Sequence, residues 1–270
     1  MGGTVGGAVS SGRRVGRVLG AGLALSLALP LAGCTDLDAD GTSPDAGPTA
    51  TGAEPAGGDG RAVSPLDNPE GIEPGLAPLR TEEDRERARG LVEALETKGR
   101  GPKTGYDRDE FGYAWMDTAD GVPLARNGCD TRNDLLKLHG RNVEFRSGSD
   151  CVVVSMDLHD PYTGKDIAWK KSKAAEVQID HVVPLSYSWQ LGAARWPEDK
   201  RRRLANDPLN LLPVEGRANA AKGDSGPASW LPPNKAVRCA YAVRFAQVAE
   251  KYELPVTAAD KAMMLNQCAS

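Results

Sequence analysis

The stretch Val177-Gln-Ile-Asp-His-Val-Val-Pro-Leu185 decides how the rest of this chain is interpreted. Its apolar, β-branched residues are typical of a buried strand. Asp180 and His181 interrupt this strand, and burying a carboxylate beside an imidazole without partners costs several kcal/mol or more. Pro184 follows closely and favours the end of a strand. The pattern predicts a strand over 177–183 that ends by presenting Asp180 and His181 to a site.

A second apolar run follows in Asn206-Asp-Pro-Leu-Asn-Leu-Leu-Pro-Val214, with Asn210 inside it. The next segment places Asn219 and Lys222 three residues apart, on one face of a short predicted helix. Gly223 and Pro227 end this helix. The predicted order is therefore strand, loop with a helix, strand and helix. The first two elements and the last helix each contribute a polar residue able to face one centre.

These residue types suit phosphodiester hydrolysis. His181 can take a proton near neutral pH without a large shift of its pKa, and it is the candidate general base. Asp180 and Asn219 offer the oxygen ligands preferred by Mg²⁺, which retains several waters and binds phosphate oxygens. Neighbouring strand residues point to opposite faces, so Asp180 and His181 can share one site only if the strand ends or twists there.

Each candidate also has a plain structural interpretation. Asp180 and His181 alone are as consistent with a satisfied structural pair as with a site. Asn210 could be an ordinary turn or cap residue, and Lys222 either contacts phosphate or is a solvated helix residue. His139 and His159 lie outside the pattern and are interpreted as structural. The ordered set carries the functional hypothesis, because motif strength comes from context and spacing.

The motifs DHVVPL, NDPLNLLPV and Asn219-Ala-Ala-Lys-Gly-Asp224 together resemble the ββα-metal motif of HNH endonucleases. With YDRDEFGYAW, CDTR, DPYTG, LGAARW and WLPPN, the segment 106–268 resembles exported actinobacterial HNH endonuclease family proteins, whose catalytic domain is related to the C-terminal domain of modification-dependent restriction endonucleases. The resemblance implies His181 as general base, Asp180 and Asn219 as metal ligands, and Asn210 as the residue that orients the loop and His181. Asn219 at the third HNH position implies Mg²⁺, or Mn²⁺, rather than zinc. Lys222 completes the predicted catalytic set.

The amino terminus has the layout of a secretory signal. Three arginines precede an apolar run over 18–31, which is shorter than the roughly 20 residues of a membrane span. The run closes with Leu-Ala-Gly-Cys34, which resembles the lipobox of bacterial lipoproteins. We predict a signal peptide over 1–33 and a lipid anchor at Cys34, with an ordinary signal peptide as the alternative.

Residues 34–78 are rich in Gly, Pro and Asp and poor in large apolar residues, so we predict a disordered tether there. Residues 34–73 contain nine acidic residues and one basic residue, whereas the net charge of the whole chain is −4. The excess of acidic residues therefore lies in the tether. The domain predicted over 79–270 is not acidic, so its net charge does not exclude a polyanionic partner.

Four cysteines remain, and an even number in an exported protein favours two disulfides. Three pairings are possible, of which we prefer the sequence-local one, Cys129–Cys151 with Cys239–Cys268. A zinc site is the weaker alternative, because no pair has the CxxC spacing.

The fold class predicted is α+β, with a ββα-metal core at about 176–224 inside a mainly helical, disulfide-tied domain. Helices are expected near 81–98, 132–138, 200–205, 236–252 and 258–266. Strands are expected at 151–156 and 177–183, a turn at 159–164, and a loop with a short strand at 106–115. The basic clusters at 165–173 and 198–204 either bind a phosphate backbone or are solvated surface.

The sequence thus predicts a metal-dependent DNA endonuclease with little sequence specificity, lipid-anchored outside the cytoplasmic membrane or secreted. No obligate protein partner is inferred. Two other classes stay open: a catalytically weak surface protein that binds nucleic acid, and a hydrolase of another phosphate ester.

Overall fold

Small antiparallel sheets and helices build the part of the chain that the computed structural model describes, residues 61–269. The helices are α1 (Glu82–Ala94), α2 (Thr131–His139), α3 (Leu185–Leu191), α4 (Glu198–Asn206), α5 (Gly216–Lys222), α6 (Arg238–Lys251) and α7 (Ala258–Gln267). The strands are β1 (Arg141–Phe145), β2 (Val153–His159), β3 (Asp166–Lys170), β4 (Val177–His181) and β5 (Leu211–Glu215). Short 3-10 turns connect several of these elements.

Both sheets within residues 61–269 are antiparallel, and an isolated bridge between Thr97 and Val256 is parallel. β1, β2 and β3 form one sheet in that order, and β4 pairs with β5 in a second. No parallel βαβ unit occurs in this described part, which confirms the α+β class. α5 begins directly after β5, so β4, β5 and α5 follow one another as strand, strand and helix.

The β4–β5 pair lies between two hydrophobic clusters, which explains its nearly continuous apolar sequence. Val177, Ile179 and Leu211 pack with α2 and the three-stranded sheet. Leu212 and Val214 point to the other face and join the larger cluster around α6. Both faces of this short sheet are therefore buried, and Asp180 and His181 are held within the folded interior.

Residues 61–78 form a strap that packs on the domain, whereas the sequence predicted the end of a disordered tether here. Leu76 is buried, and α6 binds the strap through its backbone oxygens: Gln247 donates to the Pro65 oxygen at 2.7 Å and Arg244 to the Asn68 oxygen at 3.2 Å. Gly71, at a φ of 72°, lies directly against the Leu209 backbone. Composition missed this strap because it is held mainly by its backbone.

The predicted signal peptide, Cys34 and residues 34–60 of the tether lie outside the described residues. Among residues 61–269, no helix has the length and apolar character needed to cross a membrane.

Two local predictions were wrong or incomplete. The segment 106–115 contains a 3-10 turn at Arg108–Phe111 and no strand. β1 and β3 were missed, because β1 is mostly exposed and the residues of β3 were interpreted as a basic cluster. The predicted helices all occur, with ends shifted by a few residues.

Both predicted disulfides are confirmed. Cys129–Cys151 joins two loops with a Cα–Cα distance of 5.3 Å, and Cys239–Cys268 joins α6 to the end of α7 at 4.8 Å. The second bridge is buried at both ends.

Removing the buried bridge with Cys239→Ala and Cys268→Ala should lower the free energy of unfolding by about 3–4 kcal/mol, because the bridge closes a loop of sequence separation 29. Urea unfolding of both forms measures the difference. The Cys129→Ala, Cys151→Ala pair is the matched comparison, since it closes a loop of similar length nearer the surface. Equal stability of the Cys239/Cys268 variant and wild type would contradict the prediction.

Candidate active site

A polar cleft of about 500 Å³ opens at the carboxyl end of β4. Its polar lining includes Lys103, Arg108, Asp180, His181, Asn219 and Asp224. Asp180 and His181 both line it although they are adjacent in a strand, because β4 ends at His181. The structure therefore brings together three of the predicted site residues: Asp180, His181 and Asn219.

The His181 ring is held in one tautomer. Its Nε2 lies 2.9 Å from the Ala205 carbonyl oxygen, which can only accept a hydrogen bond, so Nε2 carries the proton. Nδ1 is left as a lone-pair acceptor with no hydrogen-bond partner among residues 61–269. The ring also stacks on Trp115, with centroids 6.0 Å apart and planes 10° apart.

The imidazole of His181 is neutral at ordinary pH. Burial lowers its pKa to about 3, with a further contribution from the positive charge of Arg108. The ring is therefore neutral, with a free Nδ1 that can accept a proton. Its pKa is far below the near-neutral value expected from the sequence, because burial disfavours the charged imidazolium, so His181 is a weaker base than the sequence indicated.

Asn210 supports His181 from behind and does not reach the cleft. Its Oδ1 accepts from the Val183 amide at 2.8 Å, and its Nδ2 donates to the oxygens of Val183 and Leu204 at 3.3 and 3.1 Å. One fully buried amide thus ties the chain after His181 to the end of α4, where Ala205 holds the imidazole. Asn210 is a positioning residue in this geometry.

Lys222 is buried behind Asp180 and does not line the cleft. Its Nζ donates to Asp180 Oδ1 at 2.9 Å and to the His181 carbonyl oxygen at 2.7 Å. The alternative of a solvated helix residue is wrong, since Lys222 is 1% exposed. Burial lowers the pKa of Lys222 and raises that of Asp180, while their mutual attraction opposes both shifts.

The other oxygen of Asp180 accepts a hydrogen bond from the Tyr162 hydroxyl at 2.5 Å. Sequence reasoning missed Tyr162, which lies in the turn between β2 and β3 and is fully buried. The two donors, Tyr162 and Lys222, fix the orientation of the carboxylate.

The oxygens of this cleft fit a hard cation with few protein ligands. Asn219 Nδ2 donates to Gln178 Oε1 at 2.8 Å, which leaves Asn219 Oδ1 free to act as a ligand. Each Asp180 oxygen retains a second acceptor position beside its existing donor. Within residues 61–269, no three His, Cys, Asp or Glu side chains group into a metal site. A cation here would therefore depend on one carboxylate, one amide and water, as Mg²⁺ often does.

Asp224, the last residue of the motif 219–224, also lines the cleft, and no role was predicted for it. Its Oδ2 accepts from Ser186 Oγ at 2.8 Å and from Lys103 Nζ at 2.9 Å. These two donors hold the pKa of Asp224 below its usual range. Asp224 therefore places a negative charge at the mouth of the cleft and partly neutralises Lys103.

Residues 106–115 form one wall of the site, which we call the wall segment. Arg108 lines both the cleft and a small crevice on the other side of His181, and Trp115 and Tyr113 border that crevice. Arg108 makes no hydrogen bond or ion pair with any residue of the described part of the chain. It is thus a free cation beside the candidate base.

The basic cluster at 198–204 is largely neutralised within the protein. Lys200, Arg201 and Arg202 form ion pairs with Glu253, Glu110 and Glu198 respectively. In the cluster at 165–173, Lys165 and Lys173 lie near Glu215 and Glu176. Neither cluster lines the cleft.

The two histidines outside the motif have structural contacts, as expected. His139 is buried and its Nδ1 accepts from the Gly75 amide at 2.9 Å, whereas His159 is exposed and lies 3.1 Å from Asp166. Burial lowers the pKa of His139 to about 3.

The stability of the protein should fall as the pH is lowered from 7 to 4.5. An unfolded histidine takes up a proton near pH 6.5, but folded His139 and His181 remain neutral down to about pH 3. The unfolded state thus binds more protons in this window, which costs up to about 1.4 kcal/mol per pH unit for each histidine. Asp134 opposes this, because burial raises its pKa to about 6 and the folded state takes up that proton first.

Urea unfolding at several pH values measures this dependence. In His181→Ala, the free energy of unfolding should depend less steeply on pH than in wild type. The difference should correspond to the uptake of up to one proton fewer on unfolding. Stability that is independent of pH between 7 and 4.5 would contradict the buried neutral state of both histidines.

Comparison with known proteins shows the family to which the chain belongs. The model of the family described as "GmrSD restriction endonucleases, C-terminal domain" matches residues 130–267, slightly more than half of the chain. A protein of Arthroderma benhamiae described as "Uncharacterized secreted protein" is 40% identical over 186 residues, which cover 67% of this chain and 84% of that protein. No solved structure gives a significant match. The chain therefore belongs to the family of the C-terminal domain of GmrSD restriction endonucleases.

Proposed function

We propose that this protein is an HNH-type endonuclease that hydrolyses DNA phosphodiester bonds with the help of a divalent metal ion. The observation that carries the proposal is the neutral His181, with a free Nδ1, in one cleft with the oxygens of Asp180 and Asn219. The order of β4, β5 and α5 supports a ββα-metal core, and the family supports nuclease chemistry.

In this proposal, Asp180 and Asn219 hold the metal, with Mg²⁺ favoured and Mn²⁺ as an alternative. The bound ion supplies charge stabilisation at the phosphate and at the leaving oxygen. Tyr162 and Lys222 keep the Asp180 carboxylate in place.

His181 acts on the attacking water. Its Nδ1 accepts a proton from the water as the water oxygen attacks phosphorus, the P–O bond to the leaving oxygen breaks, and the leaving oxygen takes a proton from solvent. The Ala205 carbonyl stabilises the proton already on Nε2. Asn210 hydrogen-bonds to Val183 and to Leu204, and so fixes the segment after His181 relative to the end of α4. Base, carboxylate and amide are thus preorganised before substrate arrives.

Little sequence specificity is expected. The free cation of the cleft, Arg108, is suited to phosphate, and phosphate contacts carry no base information. DNA is therefore the proposed partner, recognised through its backbone.

Export of the protein is part of the proposal. Two disulfides suit an oxidising compartment, and the similar Arthroderma benhamiae protein is described as secreted. The lipobox-like Leu-Ala-Gly-Cys34 supports a lipid anchor on the outer face of the cell membrane, with release as a secreted protein if the anchor is not used.

A DNA-nicking assay tests the function. Purified residues 35–270 are incubated with supercoiled plasmid and with circular single-stranded DNA, in Mg²⁺, in Mn²⁺ or in EDTA. We expect cleavage that needs the metal. Cleavage that persists in EDTA, or no cleavage with either metal, contradicts the proposal.

A catalytically weak DNA-binding protein is the second candidate. It is favoured by one observation: both Asp180 oxygens already accept hydrogen bonds from buried donors. DNA binding without cleavage under any metal would support this alternative.

Arg108→Ala should lower kcat/KM by roughly 10- to 100-fold, because a charge-assisted contact to phosphate is lost. The slope of log affinity against log salt should also fall by about 0.7–0.9. Steady-state kinetics at several salt concentrations measures both effects. Thermal stability should not change, since Arg108 is exposed and has no partner within residues 61–269.

Arg146→Ala is the matched control, because Arg146 is exposed in the turn after β1 and does not line the cleft. Equal kinetics of Arg108→Ala and Arg146→Ala would show that Arg108 does not contact the substrate.

A further inference from the structure

The proposed reactive groups are recessed. Asp180 is 4% exposed and His181 is 8% exposed, so a phosphodiester must enter the cleft to reach them. A duplex carries its phosphates on a stiff, wide cylinder, whereas a single strand bends easily and can lower one phosphate into a narrow recess. The depth of the site favours a flexible strand.

The wall segment presents an exposed aromatic ring beside this recess. Tyr113 is 62% exposed and borders the crevice next to His181. Within residues 61–269, the other large exposed hydrophobic side chain is Ile72, in the strap. An aromatic face binds an unpaired base by stacking, but in a duplex the faces of the bases are already covered by their neighbours.

The wall segment is anchored before any substrate binds. Arg201 holds Glu110 through its backbone oxygen at 2.7 Å and its carboxylate at 3.0 Å, and the Met116 amide donates to Asn206 at 2.8 Å. Trp115 is kept at a φ of 60°, a conformation that costs a non-glycine residue roughly 1–2 kcal/mol. Such a preformed surface loses little ordering entropy on binding.

The free cation and the exposed ring lie on the same segment, five residues apart. Arg108 faces the cleft next to the base, and Tyr113 lies at the adjoining crevice. A cationic groove combined with a stacking platform is the general means of binding single-stranded nucleic acid.

We propose that the wall segment binds an unpaired DNA strand, with Arg108 on a phosphate and Tyr113 stacked on a neighbouring base, so that the site takes single-stranded DNA in preference to duplex. This inference rests on the proposed nuclease function and names the strand state of its substrate.

Fluorescence anisotropy in EDTA tests the inference without cleavage. Residues 35–270 are titrated into a labelled single-stranded oligonucleotide and into a blunt duplex of the same sequence. We expect wild type to bind the single strand at least roughly tenfold more tightly. Tyr113→Ala should weaken single-strand binding by roughly tenfold, the loss of about one stacked base, and leave duplex binding unchanged.

Two variants control for this result. Tyr113→Phe keeps the ring and should bind as wild type does, and Ile72→Ala removes the other exposed apolar side chain and should have no effect. Equal affinity for single strand and duplex, or an unchanged affinity in Tyr113→Ala, would overturn the inference.

The failure of the inference is distinguishable from the failure of the proposed function. A protein that cleaves DNA but binds both strand states alike is a nuclease without this preference. A protein that prefers single strands in EDTA but never cleaves with metal retains the inferred surface and refutes the catalytic proposal.

Discussion

His181→Ala should lower the rate of metal-dependent DNA cleavage by roughly 10²- to 10⁴-fold, the usual contribution of a positioned general base. The reason is that no other imidazole of the described residues lines the cleft, so the change removes the imidazole acceptor from the site. The measurement is single-turnover cleavage at saturating protein, in which DNA binding does not limit the rate. DNA affinity in EDTA should remain close to that of wild type.

His159→Ala is the matched control, because His159 is exposed and lies beside Asp166 away from the cleft. It should cleave as wild type does. Cleavage by His181→Ala at an undiminished rate would mean that the base is a different group or that the activity is a contaminant.

Lys222→Met should lower the free energy of unfolding by about 3–5 kcal/mol, because it leaves the buried Asp180 carboxylate without its cation. The same change frees the His181 carbonyl oxygen from its donor. Methionine preserves most of the side-chain volume, so the loss is mainly electrostatic. Urea unfolding measures it.

A double variant separates the buried charge from packing. Lys222→Met combined with Asp180→Asn removes both charges and should be more stable than Lys222→Met alone. A single variant that is as stable as wild type would show that Lys222 does not compensate Asp180. If the double variant is no more stable than the single one, the loss of unfolding free energy in Lys222→Met comes from altered packing and not from the unpaired charge.

The strand–strand–helix order was predictable because its signals are local. β-branched residues mark β4, a second apolar run marks β5, and Gly223 marks the end of α5. The fold class was also predictable from the order of helices and strands. The even number of cysteines predicted two disulfides but left three pairings open, of which the preferred sequence-local one is confirmed. The roles of His181, Asp180 and Asn219 stay predictions, which the cleft makes geometrically consistent.

The rest depends on contacts between residues that are distant in sequence. Lys222 lies on a short helix between small residues, and nothing local shows that its ammonium turns inward to Asp180, 42 positions earlier. Tyr162 reaches the same carboxylate from a turn that the sequence marked only as a turn. The strap is held by side chains of α6 that bind its backbone oxygens and by the buried Leu76. Its two leucines are too few for composition to predict this order.

The wall segment lies before residue 130, where the match to the family model begins. Asp180, His181, Asn210 and Asn219 all lie within the matched region. One stretch of the gene therefore encodes the proposed chemistry, and a separate upstream stretch encodes the surface next to it. Trp115 of the upstream stretch stacks on His181, so this surface and the candidate base meet directly although they come from separate stretches.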